Sequence, residues 1–222
     1  MRELDPVEER VLGALMEKSV TTPDYYPMTL NSLTTACNQK SNRNPVVEFA
    51  EKDVLRALDS LREIDLARVV SGADMRVPKY YQRFAEVAGY SAPEAAVLCV
   101  LMLRGPQTVG ELRGRGSRLH EFADLAEVES VLLALAERQA GAAVRKLPRQ
   151  PGLKESRYAH LLAGEPDVPQ ADETAGAPEE QARREVRAEN ERLSALEASV
   201  GQLQQQLADL RRQFEEFKRQ FE

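Results

Sequence analysis

Residues 51–61, EKDVLRALDSL, and residues 125–135, LAEVESVLLAL, decide how this chain is organised. At an offset of 74, Val54, Leu58 and Leu61 fall on Val128, Leu132 and Leu135. Apolar residues at i, i+4 and i+7 make one stripe of an amphipathic helix, and the same stripe at a constant offset marks an internal repeat. Both stretches run into pairs of short β-type segments. In the first unit these are residues 67–70 and 77–81 around Gly72-Ala73-Asp74; in the second they are residues 143–146 and 156–160 around residues 148–153. Branched and aromatic residues bounded by Gly, Pro and Asp predict a hairpin each time. Lys79-Tyr80 and Arg157-Tyr158 repeat a basic-Tyr step on the second strands.

Upstream, each unit opens with a capped helix. Asp5-Pro6-Val7-Glu8 supplies an N-cap, a first-turn proline and an N3 acid before Val11, Leu12 and Leu15; Ser91-Ala92-Pro93-Glu94 does the same before Val97, Val100 and Leu101. A short second helix follows, with Leu30 and Leu33 as its core residues in the first unit and Val109 and Leu112 in the second, where Thr108 and Glu111 form a capping box. Three helices followed by a hairpin is the order of a winged helix-turn-helix. The expected fold class is therefore mainly α with small β-hairpins: winged helix-turn-helix domains over residues 1–88 and 89–163, in tandem.

Downstream, residues 164–181 include EPDVPQADETAGAPEE, rich in proline, small residues and acids, and are expected to be a flexible linker. Residues 182–222 carry a heptad. Val186, Leu193, Val200, Leu207, Phe214 and Phe221 recur every seven residues, with Leu196, Leu203, Leu210 and Phe217 three after. A helix of that length spans roughly 50 Å, and so narrow a stripe is buried best by another helix. Leu193, Leu196, Val200, Leu203, Leu207, Leu210, Phe214 and Phe217 are the expected dimerisation seam of a coiled coil, making the chain a homodimer. A helix folded back on its own domain is the alternative.

The 222 residues carry a net charge of −6, unevenly: residues 1–88 hold 12 Lys+Arg and 14 Asp+Glu, residues 89–163 hold 10 and 8, and the rest hold 8 and 14. A strongly basic nucleic-acid binder is excluded; a weaker one is not. No stretch approaches the roughly 18 apolar residues of a membrane span, and MRELDPVEER lacks the apolar core of a signal peptide, so a cytoplasmic location is expected. Cys37 and Cys99 lack CxxC spacing and are expected to be small buried hydrophobes. His120 and His160 belong to no HExxH-type motif, and no GxSxG elbow occurs. No catalytic residue, metal or cofactor is expected, and the chain is not expected to be an enzyme. His160, alternating with Tyr158, is expected to be structural, and His120 to end a helix. Tyr25 and Tyr26, bracketed by Pro23 and Pro27, are expected to pack and fix their loop.

A helix-turn-helix places its third helix in the major groove of DNA, with the wing on backbone or minor groove. The run Asn38-Gln39-Lys40-Ser41-Asn42-Arg43-Asn44 precedes the third helix of the first unit, and Asn38, Gln39, Lys40, Asn42 and Arg43 are candidate contacts to bases or phosphates. Within that helix Glu51, Asp53 and Asp59 oppose Lys52 and Arg56. In the second unit Asp124, Glu127, Glu129 and Glu137 come before any base, which disfavours phosphate. Positive charge lies instead at Arg113, Arg115 and Arg118 after the second helix, and at Arg145, Lys146, Arg149, Lys154 and Arg157 on the wing; of these, Arg113, Arg115, Arg149 and Lys154 join the candidate contacts. The step Arg113-Gly114-Arg115-Gly116 is expected to be a loop.

Several longer strings carry a resemblance. They are Glu17-Lys18 with Thr21-Thr22-Pro23, Tyr26-Pro27, Leu30-Asn31, residues 36–43 with Pro45-Val46, residues 104–108 with Gly110-Glu111-Leu112-Arg113, and Leu147-Pro148-Arg149 with Pro151-Gly152, Arg157-Tyr158 and His160-Leu161. Over about residues 4–162 the chain resembles the YceH-like family of uncharacterised bacterial proteins. The resemblance implies tandem winged helices and transfers no catalytic residues. Two functions follow as expectations: a dimeric, regulatory DNA-binding protein, or a scaffold whose winged helices bind a protein partner, the latter motivated by the acidic third helices.

Overall fold

Asp5 begins the first helix as expected. Its carboxylate accepts from the backbone N–H groups of Val7 and Glu8, and the Glu8 side chain returns to the N–H of Asp5, so α1 runs over Pro6–Thr21. The computed structural model describes residues 2–71, 77–149 and 155–166. The linker beyond residue 166 and the whole predicted coiled coil, including its dimerisation seam, lie outside the described residues, as does Lys154.

After α1 come a single 3-10 turn, Pro23–Tyr25, and β1, Met28–Thr29; then α2, Leu30–Cys37, α3, Glu51–Glu63, β2, Ala67–Val70, β3, Lys79–Gln82, and α4, Phe84–Ala88. The second half follows the same order with α5, Ala92–Arg104, α6, Val109–Gly116, α7, Leu125–Ala136, β4, Val144–Lys146, and β5, Tyr158–His160. The described residues are thus mainly helical with small antiparallel sheets. α3 and α7 begin 74 positions apart, at the offset their apolar stripes gave. β3 pairs with β2, from Ala67 opposite Gln82 to Val70 opposite Lys79, and β5 pairs with β4, from Val144 opposite His160 to Lys146 opposite Tyr158.

Two parts of the repeat are not legible in the pattern. β1 adds a third strand, pairing Met28 with Tyr80, and the equivalent residue of the second half, Gln107, bridges to Tyr158. α4 is a short connector whose Phe84 is fully buried and whose chain leaves through Gly89 at φ 67°. The Arg113–Gly116 step corrects an expectation: it is the end of α6 and not a loop. A Cβ on Gly116 would lie 3.0 Å from the Phe122 ring, so the glycine is there for close packing inside a helix.

Both opening helices are buried over most of their length, including Val11–Leu15 on α1 and Ala96–Leu103 on α5. A helix buried all round needs neighbours on both sides, and here each packs on its own half and on the other. They approach at Gly13, where a Cβ would lie 3.0 Å from Leu103 Cδ2 and where the Cys99 thiol meets the Gly13 carbonyl at 3.4 Å. One hydrophobic core therefore runs through both halves. Cys37 and Cys99 are buried in it as free thiols; burial pushes the Cys37 thiol up to about 12, above the range in which a thiolate forms readily. His160 Nε2 lies 2.8 Å from Glu9 on α1, a structural link between the halves. Tyr26 packs as expected, its hydroxyl accepting from the Gln82 N–H at 2.7 Å, whereas Tyr25 is exposed.

Candidate nucleic-acid interface

Residues 38–50, between α2 and α3, hold five of the candidate contacts, and the structure uses most of them internally. Both polar atoms of the Asn38 side-chain amide are engaged by the Phe49 backbone, Nδ2 donating to the carbonyl and Oδ1 accepting from the N–H, each at 2.8 Å. This clamp closes the loop just before α3. Asn42, at φ 59°, accepts from the Arg104 guanidinium on α5. Asn44 donates its backbone N–H to Leu103 O at 2.9 Å, so the loop is tied to the second half.

Arg43 departs most from its expected role. Its guanidinium is fully buried, donating to both Glu17 oxygens at 2.6 and 3.2 Å, to the Ala36 carbonyl at 2.9 Å and to Gln39 Oε1 at 3.1 Å. An arginine so placed cannot present itself to a phosphate. Glu17, fully buried on α1, also receives Arg118 from the loop between α6 and α7, and Lys18 stands 3.5 Å away. Burial alone would raise the Glu17 carboxyl, but hydrogen bonds and charge from Arg43, helped by Arg118 and Lys18, hold it below the ordinary carboxylate value. One carboxylate thereby joins three segments of the fold. Its signal in the sequence is an acid at position 17, where Arg10, Ala14 and Glu17 follow helical spacing beside the apolar stripe of α1.

The second-half cations are similarly occupied. Arg113 donates to Ala123 O at 2.9 Å, Arg115 pairs with Glu111 at 3.3 Å and bonds Gln107, and Arg157 pairs with Glu111 at 3.0 Å. Arg145 pairs with Glu165, and Lys146 lies 5.9 Å from the centre of the Tyr158 ring. Arg149 is exposed at the end of the described wing.

Residues 4–153 match the family described as "Protein of unknown function, DUF480". The chain belongs to this family. It is 57% identical over 201 residues to a UPF0502 protein of Geobacter sulfurreducens, covering 90% of each chain. A UPF0502 protein of Solibacter usitatus is 55% identical over 201 residues, 90% of this chain and 93% of that one. One from Vibrio atlanticus is 53% identical over 169 residues, 74% and 78%.

The DUF480 region contains the whole Glu17 junction, with Arg43, Arg118 and Lys18, and the Arg115–Glu111 pair. Among the described residues of this DUF480 chain, four exposed cations have no side-chain hydrogen-bond, ion-pair or ring partner: Lys40, Lys52, Arg56 and Arg149. Lys52 and Arg56 lie one turn apart on the outer face of α3, and Lys40 leaves the loop two residues after Asn38. Of the acids nearby, Asp59 pairs with Arg62 at 2.8 Å, whereas Glu51 accepts only from the neutral Asn31 amide at 3.1 Å. On α7 the exposed positions carry no base. Among the described residues no three His, Cys, Asp or Glu side chains cluster as metal ligands, and no helix is long and apolar enough to cross a membrane.

Proposed function

We propose that the chain is a non-enzymatic tandem winged-helix protein that binds double-stranded DNA, as a homodimer joined through its C-terminal heptads. The winged-helix reading is supported by three helices and an antiparallel hairpin occurring twice in the same order. The observation that carries DNA binding is the pair Lys52 and Arg56, exposed and without partners on the first two turns of α3, the part of a third helix that enters the major groove. Lys40, exposed in the loop before α3, is a further free cation of the same half. With so few free cations per chain, each head binds weakly, and pairing two chains raises affinity through effective concentration.

The test is fluorescence anisotropy of the full chain on a random-sequence duplex across a salt series. The parent binds with a steep salt dependence; Lys52→Ala with Arg56→Ala weakens binding and flattens the slope by about 0.9 for each phosphate no longer neutralised. An unchanged slope would sink the assignment to α3. Sedimentation of the same preparation should give a dimer, and a monomer would remove the tethering part of the reading.

A further inference from the structure

We infer that the outer face of α7 is a docking surface for a basic amphipathic helix of a partner protein. The inference rests on the second half and is independent of DNA binding by the first. Leu125 is 48% exposed and Leu133 58%, the two most exposed leucines among the described residues, and they sit eight positions apart on one helix. Eight residues of helix span about 12 Å, so the pair presents two apolar anchors on one side, with Ala126 and Ala134 beside them. Ser130 adds little polarity, since its hydroxyl donates back to Ala126 O at 2.9 Å.

Charge decides the occupant. Glu129 lies midway between the leucines, exposed and with no hydrogen-bond or ion-pair partner among the described residues, and Glu137 continues the same face beyond the helix end in the same condition. The cations nearest in sequence are engaged elsewhere: Arg118 pairs with Glu17, Arg113 donates to Ala123 O, and Arg138 stacks on Tyr90 and donates to Ala88 O at 2.6 Å. Glu127 is also engaged, accepting from the Ala123 N–H and lying 3.2 Å from His120. DNA is a poor occupant, because phosphate would meet uncompensated carboxylates. A second copy is also poor: an isologous contact centred on α7 would set Glu129 against its own symmetry mate between the leucine pairs. A helix with leucine-like residues at i, i+4 and i+7 and flanking lysines or arginines answers both features, laying its apolar stripe on Leu125 and Leu133 and its cations on Glu129 and Glu137.

The probe is a fluorescein-labelled amphipathic helix of leucine and lysine, with a leucine–glutamate peptide of the same pattern as control, titrated against the full chain at about physiological salt. The lysine peptide binds and the glutamate peptide does not. Leu125→Ser with Leu133→Ser leaves the net charge unchanged and weakens binding about tenfold or more, equivalent to about 1.4 kcal/mol. Both side chains are half in solvent, so folding should survive, which a urea midpoint checks; Glu129→Lys is the second variant and weakens binding by like charge. Equal affinity in the parent and both variants, equal binding of the two peptides, or no binding of the lysine peptide would each overturn the inference. So would conversion of a dimer to a monomer by the leucine variant, which would assign the face to a second copy.

Discussion

Replacing Glu17 with alanine should lower the stability of the folded chain by about 3–5 kcal/mol, the cost of leaving a buried charge without its partner. For a chain of this size, that corresponds to a fall of about 10 °C in thermal midpoint. The substitution strands Arg43, whose guanidinium keeps only neutral oxygens from Ala36, Asn42 and Gln39. Arg43→Ala should cost less, because Glu17 retains Arg118 and Lys18. This ordering distinguishes a three-way junction from an isolated pair. Urea unfolding of the two variants measures it, and an effect of Glu17→Ala within roughly 1 kcal/mol of zero would mean that the junction contributes nothing net.

The same carboxylate sets a pH dependence. Its folded value is held below the ordinary one, against burial, chiefly by Arg43. The unfolded chain titrates it at about 4.3, so its contribution is complete above that pH and is lost as pH falls through the lower folded value. Glu17→Ala should therefore lose less stability on acidification than the parent does.

Leu103→Ala should destabilise the chain by about 2–5 kcal/mol, as for other buried leucines truncated in a packed core. The second expected result is its coupling to Gly13. In the parent, Gly13→Ala adds a methyl 3.0 Å from Leu103 Cδ2 and 3.1 Å from its Cγ, so the helix preference for alanine, about 1 kcal/mol, is opposed by overpacking. It should be neutral to destabilising there. With Leu103 truncated, the clashing atoms are gone, and Gly13→Ala should restore about 1 kcal/mol or more while partly filling the cavity. A double-mutant cycle from denaturant midpoints reads this as a coupling of opposite sign to overpacking. Strict additivity would mean that α1 and α5 do not meet at Gly13. Because Leu103 belongs to the second half and Gly13 to the first, both variants should shift one shared unfolding transition.

Much of the fold is local information. Helix starts at Asp5, Ser91 and Thr108 and the stripes of α3 and α7 depend on residues within a few positions of one another, where capping and periodicity act, and the paired residues of the two hairpins lie no more than 16 positions apart. The repeat and the mainly helical class were therefore determined by the sequence alone. The fate of individual polar residues was not. Asn38, Asn42 and Arg43 look like a recognition loop because side-chain type shows only what a group can bond, and not what comes to meet it. Their partners, Phe49, Arg104 and Glu17, lie 11, 62 and 26 positions away, and folding alone brings them together. The Arg113–Gly116 step reads as a loop for the same reason, since glycine marks a loop until a ring such as Phe122 is found against it. Burial and long-range pairing are properties of the assembled core, and they separate the few cations left to solvent, Lys52 and Arg56 on α3 among them, from the many engaged inside the fold, of which Arg104 and Arg118 tie one half to the other.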